Sequence, residues 1–208
     1  MDEGSPSDTV RLENLWAGEF GNAYIERNRQ AGEGRGPFWD RILGAYPVRN
    51  VLEVGCNIGV NLEWLARTLP ARDLYGVDIN AQALQDARRR LPGVNFLWSP
   101  ARSLPFKNDM FDLVFTTGVL IHQPPEILPR VMGEIVRCSH RYVLCGEYYA
   151  PGLDEVPYRE QPGSLFRQDF GARYLELFPE LSVKAHGFLP RSEGGWDDLT
   201  YWLLEKGE

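Results

Sequence analysis

From residue 50 onward the hydrophobic positions alternate between two rhythms. Short apolar runs at 50–54, 73–77, 94–98, 111–116 and 141–145 have the length of buried strands. Between and after them lie stretches with apolar residues at three- and four-residue spacing: 59–68, 81–90 with arginines on its outer face, 125–137 and 167–178. Strands alternating with helices predict a mostly parallel sheet covered on both faces, a doubly wound α/β fold of Rossmann-like type. The runs at 181–187 and 199–205 follow each other with no helix between, so they are expected to pair antiparallel at one edge.

The region before residue 50 reads differently. Residues 1–8 are acidic and polar and are expected to be a disordered tail. Residues 9–30 are helical, with Leu12, Leu15, Trp16, Phe20 and Tyr24 on one side, and Gly18 and Gly21 split them into two short helices. The glycine-rich segment 32–36 is a flexible joint, and 38–45 is a helix with Pro37 in its first turn. The joint comes too early to bound a second domain, so residues 1–208 form one domain.

Composition narrows the function by exclusion. A net charge of −7 argues against general nucleic-acid binding, which needs a basic face for phosphates. No apolar run approaches a membrane span, and the polar N-terminus is no signal peptide. Cys56, Cys138 and Cys145 lie in apolar runs without metal-ligand spacing, as expected of buried thiols in a reducing cytoplasm. A cytoplasmic protein without a metal site is the expectation.

The chemistry concentrates at residues 51–61, Val-Leu-Glu-Val-Gly-Cys-Asn-Ile-Gly-Val-Asn. Gly55 lets the backbone leave the first strand sharply, and Gly59 lets the next helix pack near a ligand. Asn57 stands where a third glycine is expected, and Asn is the non-glycine residue that best tolerates left-handed geometry. Asp78, at the end of the second strand, can accept both hydroxyls of a ribose or cap the helix beginning near Ala81, and the two roles are compatible. Glu53 would repel a pyrophosphate brought to this turn, which disfavours a dinucleotide and an NAD-linked oxidoreductase. It suits S-adenosylmethionine, whose sulfonium and α-ammonium groups are cationic.

With these residues in view the sequence resembles the class I S-adenosylmethionine-dependent methyltransferases, over about residues 48–146. The likeness is carried by Glu53-x-Gly55-x-Asn57-x-Gly59, Gly76-Val-Asp78, Leu104-Pro105-Phe106, and Phe111-Asp-Leu-Val-Phe115 followed by Val119-Leu-Ile-His122. More narrowly, residues 16–28, 55–59 and 146–150 resemble methylases associated with pseudaminic acid and surface-sugar gene clusters. The resemblance implies that Gly55, Asn57 and Gly59 line the methionine end of the cofactor, that Asp78 holds the ribose and that Ile79 packs on the adenine. Pro100 replaces the acid that many relatives place against the adenine amino group, leaving Ser99 or the Ala101 backbone to serve. Thr116, Thr117 and Gly118 would lie beneath the transferred methyl, although a Thr pair at a strand end can also simply cap it. Residues 9–46 become a helical lid, with Trp16, Phe20, Tyr24 and Asn28 facing inward, where aromatic rings favour a sulfonium and exclude water. An amphipathic stripe of this kind is also compatible with plain core.

Methyl transfer to O or N is an in-line displacement that depends on positioning, with a base where the acceptor must lose a proton. His122 is the candidate base, with a structural or orienting role as its alternative. Glu147, Tyr148 and Tyr149 follow the fifth strand on the ligand-binding edge, Glu147 and Tyr149 as catalytic candidates and Tyr148 as an acceptor contact. The insertion 150–166 and its flank carry Tyr158, Arg159 and Arg167, which would suit a carboxylate or phosphate on the acceptor. The expected function is methyl transfer, O favoured over N, to a small polar or anionic metabolite such as a sugar or sugar acid. The alternative is a cofactor-binding accessory protein without transfer activity. Neither the acceptor nor the oligomeric state is set by the sequence.

Overall fold

The computed structural model describes residues 7–28 and 32–207, and of Asn28 the backbone alone. Five strands run parallel: β1 (Val51–Val54), β2 (Leu74–Asp78), β3 (Asn95–Trp98), β4 (Phe111–Thr117) and β5 (Ser139–Glu147). A short hairpin, β6 (Asp154–Glu155) and β7 (Phe166–Arg167), follows, and β8 (Leu181–Leu189) and β9 (Leu199–Lys206) complete a seven-stranded sheet. Its order is β3–β2–β1–β4–β5–β9–β8. β9 therefore runs antiparallel between β5 and β8, so a single reversed strand lies second from the edge. Side chains explain the order. β9 buries Leu199, Tyr201 and Leu203 on one face and Leu204 on the other, so it needs cover on both, whereas β8 is mostly exposed and tolerates the edge.

All four residues of β1 are buried. Val51 faces a core built with α3 (Gly36–Ala45), α4 (Val60–Leu65) and α5 (Ala81–Arg90), while Leu52 and Val54 face one built with α6 (Leu128–Cys138) and α7 (Phe170–Leu177). The expected doubly wound fold is thus observed. The N-terminal part forms α1 (Asp8–Ala17) and α2 (Glu19–Asn28), with the break at Gly18.

Several boundaries move for local reasons. Residues 1–6 of the expected tail lie outside the described residues, but Ser7 caps α1, its side chain accepting from the Val10 N–H, and Asp8 opens the helix. Asp169 caps α7 by accepting from the Ala172 N–H at 2.9 Å, so the helix starts at Phe170 and Arg167 belongs to a strand. Trp196, just before β9, is a buried core residue in contact with Phe38. No described helix is long and apolar enough to cross a membrane.

Candidate active site

The turn after β1 is left-handed at three points: Gly55 (φ 73°), Asn57 (φ 48°) and Gly59 (φ 77°). It is pinned to the neighbouring strand, because the N–H groups of Gly55 and Cys56 both donate to the Val77 carbonyl, at 2.8 and 3.0 Å. A Cβ on Gly55 would run into Val119, and one on Gly59 would press on Leu91 and Phe96. Gly59 thus serves packing of α4 on the sheet and does not line the cavity that opens here. Asp78 ties the two strand ends together: its carboxylate accepts from the Asn57 N–H and the Asn80 N–H, each at 2.8 Å. Burial raises its pKa, and these backbone donors oppose the rise. Lone pairs on both oxygens remain for a further partner.

A cavity of about 170 Å³ lies over this turn, bounded by the sheet edge and the N-terminal helices. Its most buried charged wall is a network centred on Asn61. The Asn61 amide donates to Glu53 Oε1 at 2.6 Å and Thr117 Oγ1 at 3.0 Å, and accepts from Arg35 Nη1 at 2.9 Å and Trp39 Nε1 at 3.3 Å. Arg35 also donates from Nε to the Gly195 carbonyl at 2.6 Å and lies over the Trp196 ring. Glu53 is 2% exposed, and its second oxygen has no hydrogen-bond partner. Desolvation pushes its pKa up to about 8, against the pull of Asn61 and Arg35. Asn57 Oδ1 and Trp16 Nε1, also on the cavity wall, are likewise buried without partners. Buried polar atoms of this kind are costly unless a ligand satisfies them.

The opposite wall comes from the N-terminal helices α1 and α2. Trp16 and Tyr24 line the cavity with their rings in edge-to-face contact, 5.4 Å apart, and burial raises the Tyr24 pKa to about 12. Asn80 ties α1 and α2 to the turn after β2: its Nδ2 donates to the Trp16 carbonyl at 3.0 Å and to Asn22 Oδ1 at 2.9 Å, while its Oδ1 caps α5. Ile79, Ser99 and Ala101 line the cavity as well, although the Ser99 hydroxyl is spent on the Ser103 carbonyl at 2.8 Å. Gly118 (φ 65°) also faces it, with open space where a Cβ would stand.

His122 closes the cavity from a 3₁₀ turn after β4 and is 8% exposed. Its Nδ1 is 2.6 Å from the Ser164 carbonyl, and its ring lies 4.4 Å from that of Trp16 and 5.3 Å from that of Tyr158. Burial drives its pKa down to about 4, so it is neutral near pH 7.

Other expected site residues stand elsewhere. Glu147 is buried beneath the His122 turn, where its carboxylate accepts from the N–H groups of Val119 and Ile121 at 3.0 and 3.3 Å. It braces the turn and does not line the cavity, and burial raises its pKa to about 7. Thr116, fully buried on the same side of the sheet, does not line it either. Tyr149 is 48% exposed and borders a shallow surface depression with Arg167, which is paired with Asp154. Tyr148 packs between the two cores, and burial raises its pKa. Arg159 lies over the outer Tyr158 ring, and Tyr158 reaches the site only through His122 and Phe20. The Asn28 side chain lies outside the described residues. Arg35, Asn61 and Asn80 were not anticipated. Arg35 sits in the segment read as a flexible joint, and the two asparagines have cavity roles that only the folded turn reveals.

Residues 51–141 match the sequence family described as a methyltransferase domain. The whole sheet has the same architecture as magnesium protoporphyrin IX methyltransferase from Synechocystis, solved with bound S-adenosylmethionine (TM-score 0.71, 14% identity, 99% of this chain and 100% of that one). The fold is that of a class I methyltransferase. The 1,6-didemethyltoxoflavin-N1-methyltransferase of Burkholderia thailandensis, solved with S-adenosylhomocysteine, has the same fold (TM-score 0.74, 15% identity, 100% and 94% of the chains). In sequence, the chain is 35% identical over 139 residues to the phthiotriol/phenolphthiotriol dimycocerosates methyltransferase of Mycobacterium tuberculosis, covering 66% of this chain and 48% of that protein. It thus spans about half the length of that curated relative.

Proposed function

We propose that this chain is an S-adenosylmethionine-dependent methyltransferase that methylates an oxygen of a small hydroxylated molecule. The observation that carries the reading is the set of buried, partnerless acceptors on the cavity wall, Glu53 Oε2 and Asn57 Oδ1, beside the partly unsatisfied carboxylate of Asp78. An α-ammonium group satisfies the first two, a ribose diol suits Asp78, and the Arg35 guanidinium is the cationic partner for a carboxylate. The residues present therefore fit this cofactor. When bound, the cofactor supplies an electrophilic methyl group.

His122 carries the chain's own contribution to the proton transfer. A backbone carbonyl can only accept, so Nδ1 holds the hydrogen and Nε2 presents a lone pair. A base with a pKa of about 4 removes few protons from a free alcohol. It is sufficient for an oxygen that becomes strongly acidic as its new bond forms, and it is never blocked by a proton near pH 7. Trp16 and the lid exclude water that would compete with the acceptor.

For the acceptor, the resemblance to surface-sugar methylases favours a sugar or sugar acid. The relative named for phthiotriol and phenolphthiotriol dimycocerosates supports instead a hydroxyl on a more apolar body, which the aromatic surroundings of His122 also suit. Neither Arg159 nor Arg167 faces the cavity, so they give no support to an anionic acceptor. Transfer of label from methyl-labelled S-adenosylmethionine to a panel of sugars, sugar acids, phenols and hydroxylated lipids tests the proposal. Product in any hydroxyl class, abolished by D78A, supports it. Tight S-adenosylhomocysteine binding with no transfer to any of them would favour an accessory protein.

A further inference from the structure

The ring proton of His122 depends on contacts built far from the cavity. Its Nδ1 partner, the Ser164 carbonyl, belongs to the β6–β7 hairpin, where the Ser164 hydroxyl donates to the Gln161 carbonyl at 2.7 Å and the Gly163 N–H to Glu155 Oε1 at 2.9 Å. Arg11 fastens the hairpin to the N-terminal helices by hydrogen bonds, beside the ring contact of Phe20 with Tyr158. Arg11 of α1 donates from Nη1 to the Pro162 carbonyl at 3.2 Å and from Nη2 to the Gly163 carbonyl at 2.9 Å, while its Nε is held by Asp8 at 3.0 Å. The same helix supplies Trp16 against one side of His122, and the hairpin supplies Tyr158. Lid, hairpin and imidazole thus form one chain of contacts, with Arg11 as its outer clasp.

We propose that Arg11 is a positioning residue: by latching the lid helix to the hairpin it keeps the Ser164 carbonyl on His122 Nδ1, which fixes the imidazole as the Nδ1–H tautomer with a free Nε2. The catalytic consequence rests on reading His122 as the proton acceptor, but the tautomer itself does not. Without the latch, the hairpin carbonyl is free to leave, the ring is no longer covered on both sides, and either nitrogen can carry the hydrogen. The titratable and charged groups around the ring do not substitute for that bond. Glu13 of α1 is paired with Arg102, Glu147 of β5 is engaged by the amides of Val119 and Ile121, Tyr158 of the hairpin meets the ring face with Arg159 over its own ring, and Tyr24 of α2 packs on Trp16. Burial under the closed lid is also what holds the His122 pKa low.

The test is a long-range ¹H–¹⁵N correlation spectrum of the histidine rings in the full chain. It is simple to assign, since the chain has three histidines and His140 and His186 are exposed internal references. In the wild type, His122 should show protonated Nδ1 and lone-pair Nε2 with no titration between about pH 5.5 and 7.5. R11M keeps the apolar stem and removes the donors. It should give averaged or mixed tautomer shifts and move His122 titration upward, with kcat for the acceptor falling about tenfold and S-adenosylhomocysteine affinity unchanged. R11K, with one compact donor, should recover part of the wild-type pattern. Wild-type His122 shifts in R11M would overturn the proposal, as would an Nε2–H tautomer in the wild type. A changed tautomer with unchanged kcat would support the latch and overturn only the role of His122 in transfer.

Discussion

At the β1–β2 end of the cavity Gly55, Asn57 and Asp78 hang on a strand or on the first turn after one, whereas the His122 end is assembled from segments distant in sequence. The Asn57 N–H donates to Asp78 and the Gly55 and Cys56 N–H groups to the Val77 carbonyl, at 2.8–3.0 Å across two adjacent strands. His122 takes its position from Glu147 beneath, Ser164 beside it and Trp16 over it, on a strand, a hairpin and a lid helix. The first end is rigid without ligand and suits an invariant cofactor. The second moves when any of three loosely connected parts moves, which suits a site that must admit an acceptor and then exclude water.

Substitutions can break this contrast. The largest effect is expected from D78A, which removes a ligand partner and the acceptor for two backbone N–H groups. S-adenosylhomocysteine affinity measured by calorimetry should fall more than about a hundredfold, from charged hydrogen bonds of about 1.5–3 kcal/mol each. Next is G55A, which forces a side chain into the left-handed turn and against Val119. It should destabilise the fold by about 2 kcal/mol, a melting-temperature loss of about 5 °C by calorimetry, and weaken cofactor binding with it.

Glu53 gives a pH-dependent test. Its folded pKa of about 8 lies above its ordinary value, so its contribution to stability is full in acid and lost as the pH rises toward 8. Glu147, raised to about 7, acts in the same direction. His122, lowered to about 4, acts oppositely, but only below about pH 6.5 where the unfolded imidazole takes up a proton. The melting temperature of the ligand-free protein should therefore fall from about pH 6.5 to 8, and less steeply in E53Q. The smallest effect belongs to R159A and R167A: stability changes within about 0.5 kcal/mol and unaltered acceptor KM, because these arginines serve an aromatic face and an exposed ion pair. A large rise in KM would return them to the acceptor site.

The same contrast decides what could be read from the sequence. Gly55, Asn57 and Asp78 are legible because their roles depend on backbone geometry and on strand ends, which local pattern specifies. The alternation of strands and helices gave the sheet for the same reason. The position of β9 inside the edge was not legible, because it depends on which strand has two apolar faces to cover. Arg35 was misread because three neighbouring glycines signal mobility, while its buried bonds to Asn61 and the Gly195 carbonyl come from residues far along the chain. Glu147 was placed on the correct strand end, but strand parity turns it away from the cavity and under the His122 turn. The latch made by Arg11 carries no local signal, since the carbonyls it binds are 151 and 152 residues away.

The central claim is that the Glu53–Asp78 turn receives a cationic nucleoside cofactor, and calorimetric titration with S-adenosylhomocysteine in two buffers of different ionisation enthalpy tests it most directly. At pH 7 the account predicts binding at micromolar or tighter concentration with release of about one proton, because the ammonium group ionises a carboxyl whose pKa was near 8. E53Q should bind more weakly and release none. Absence of binding, or binding of NAD in its place, would contradict the account.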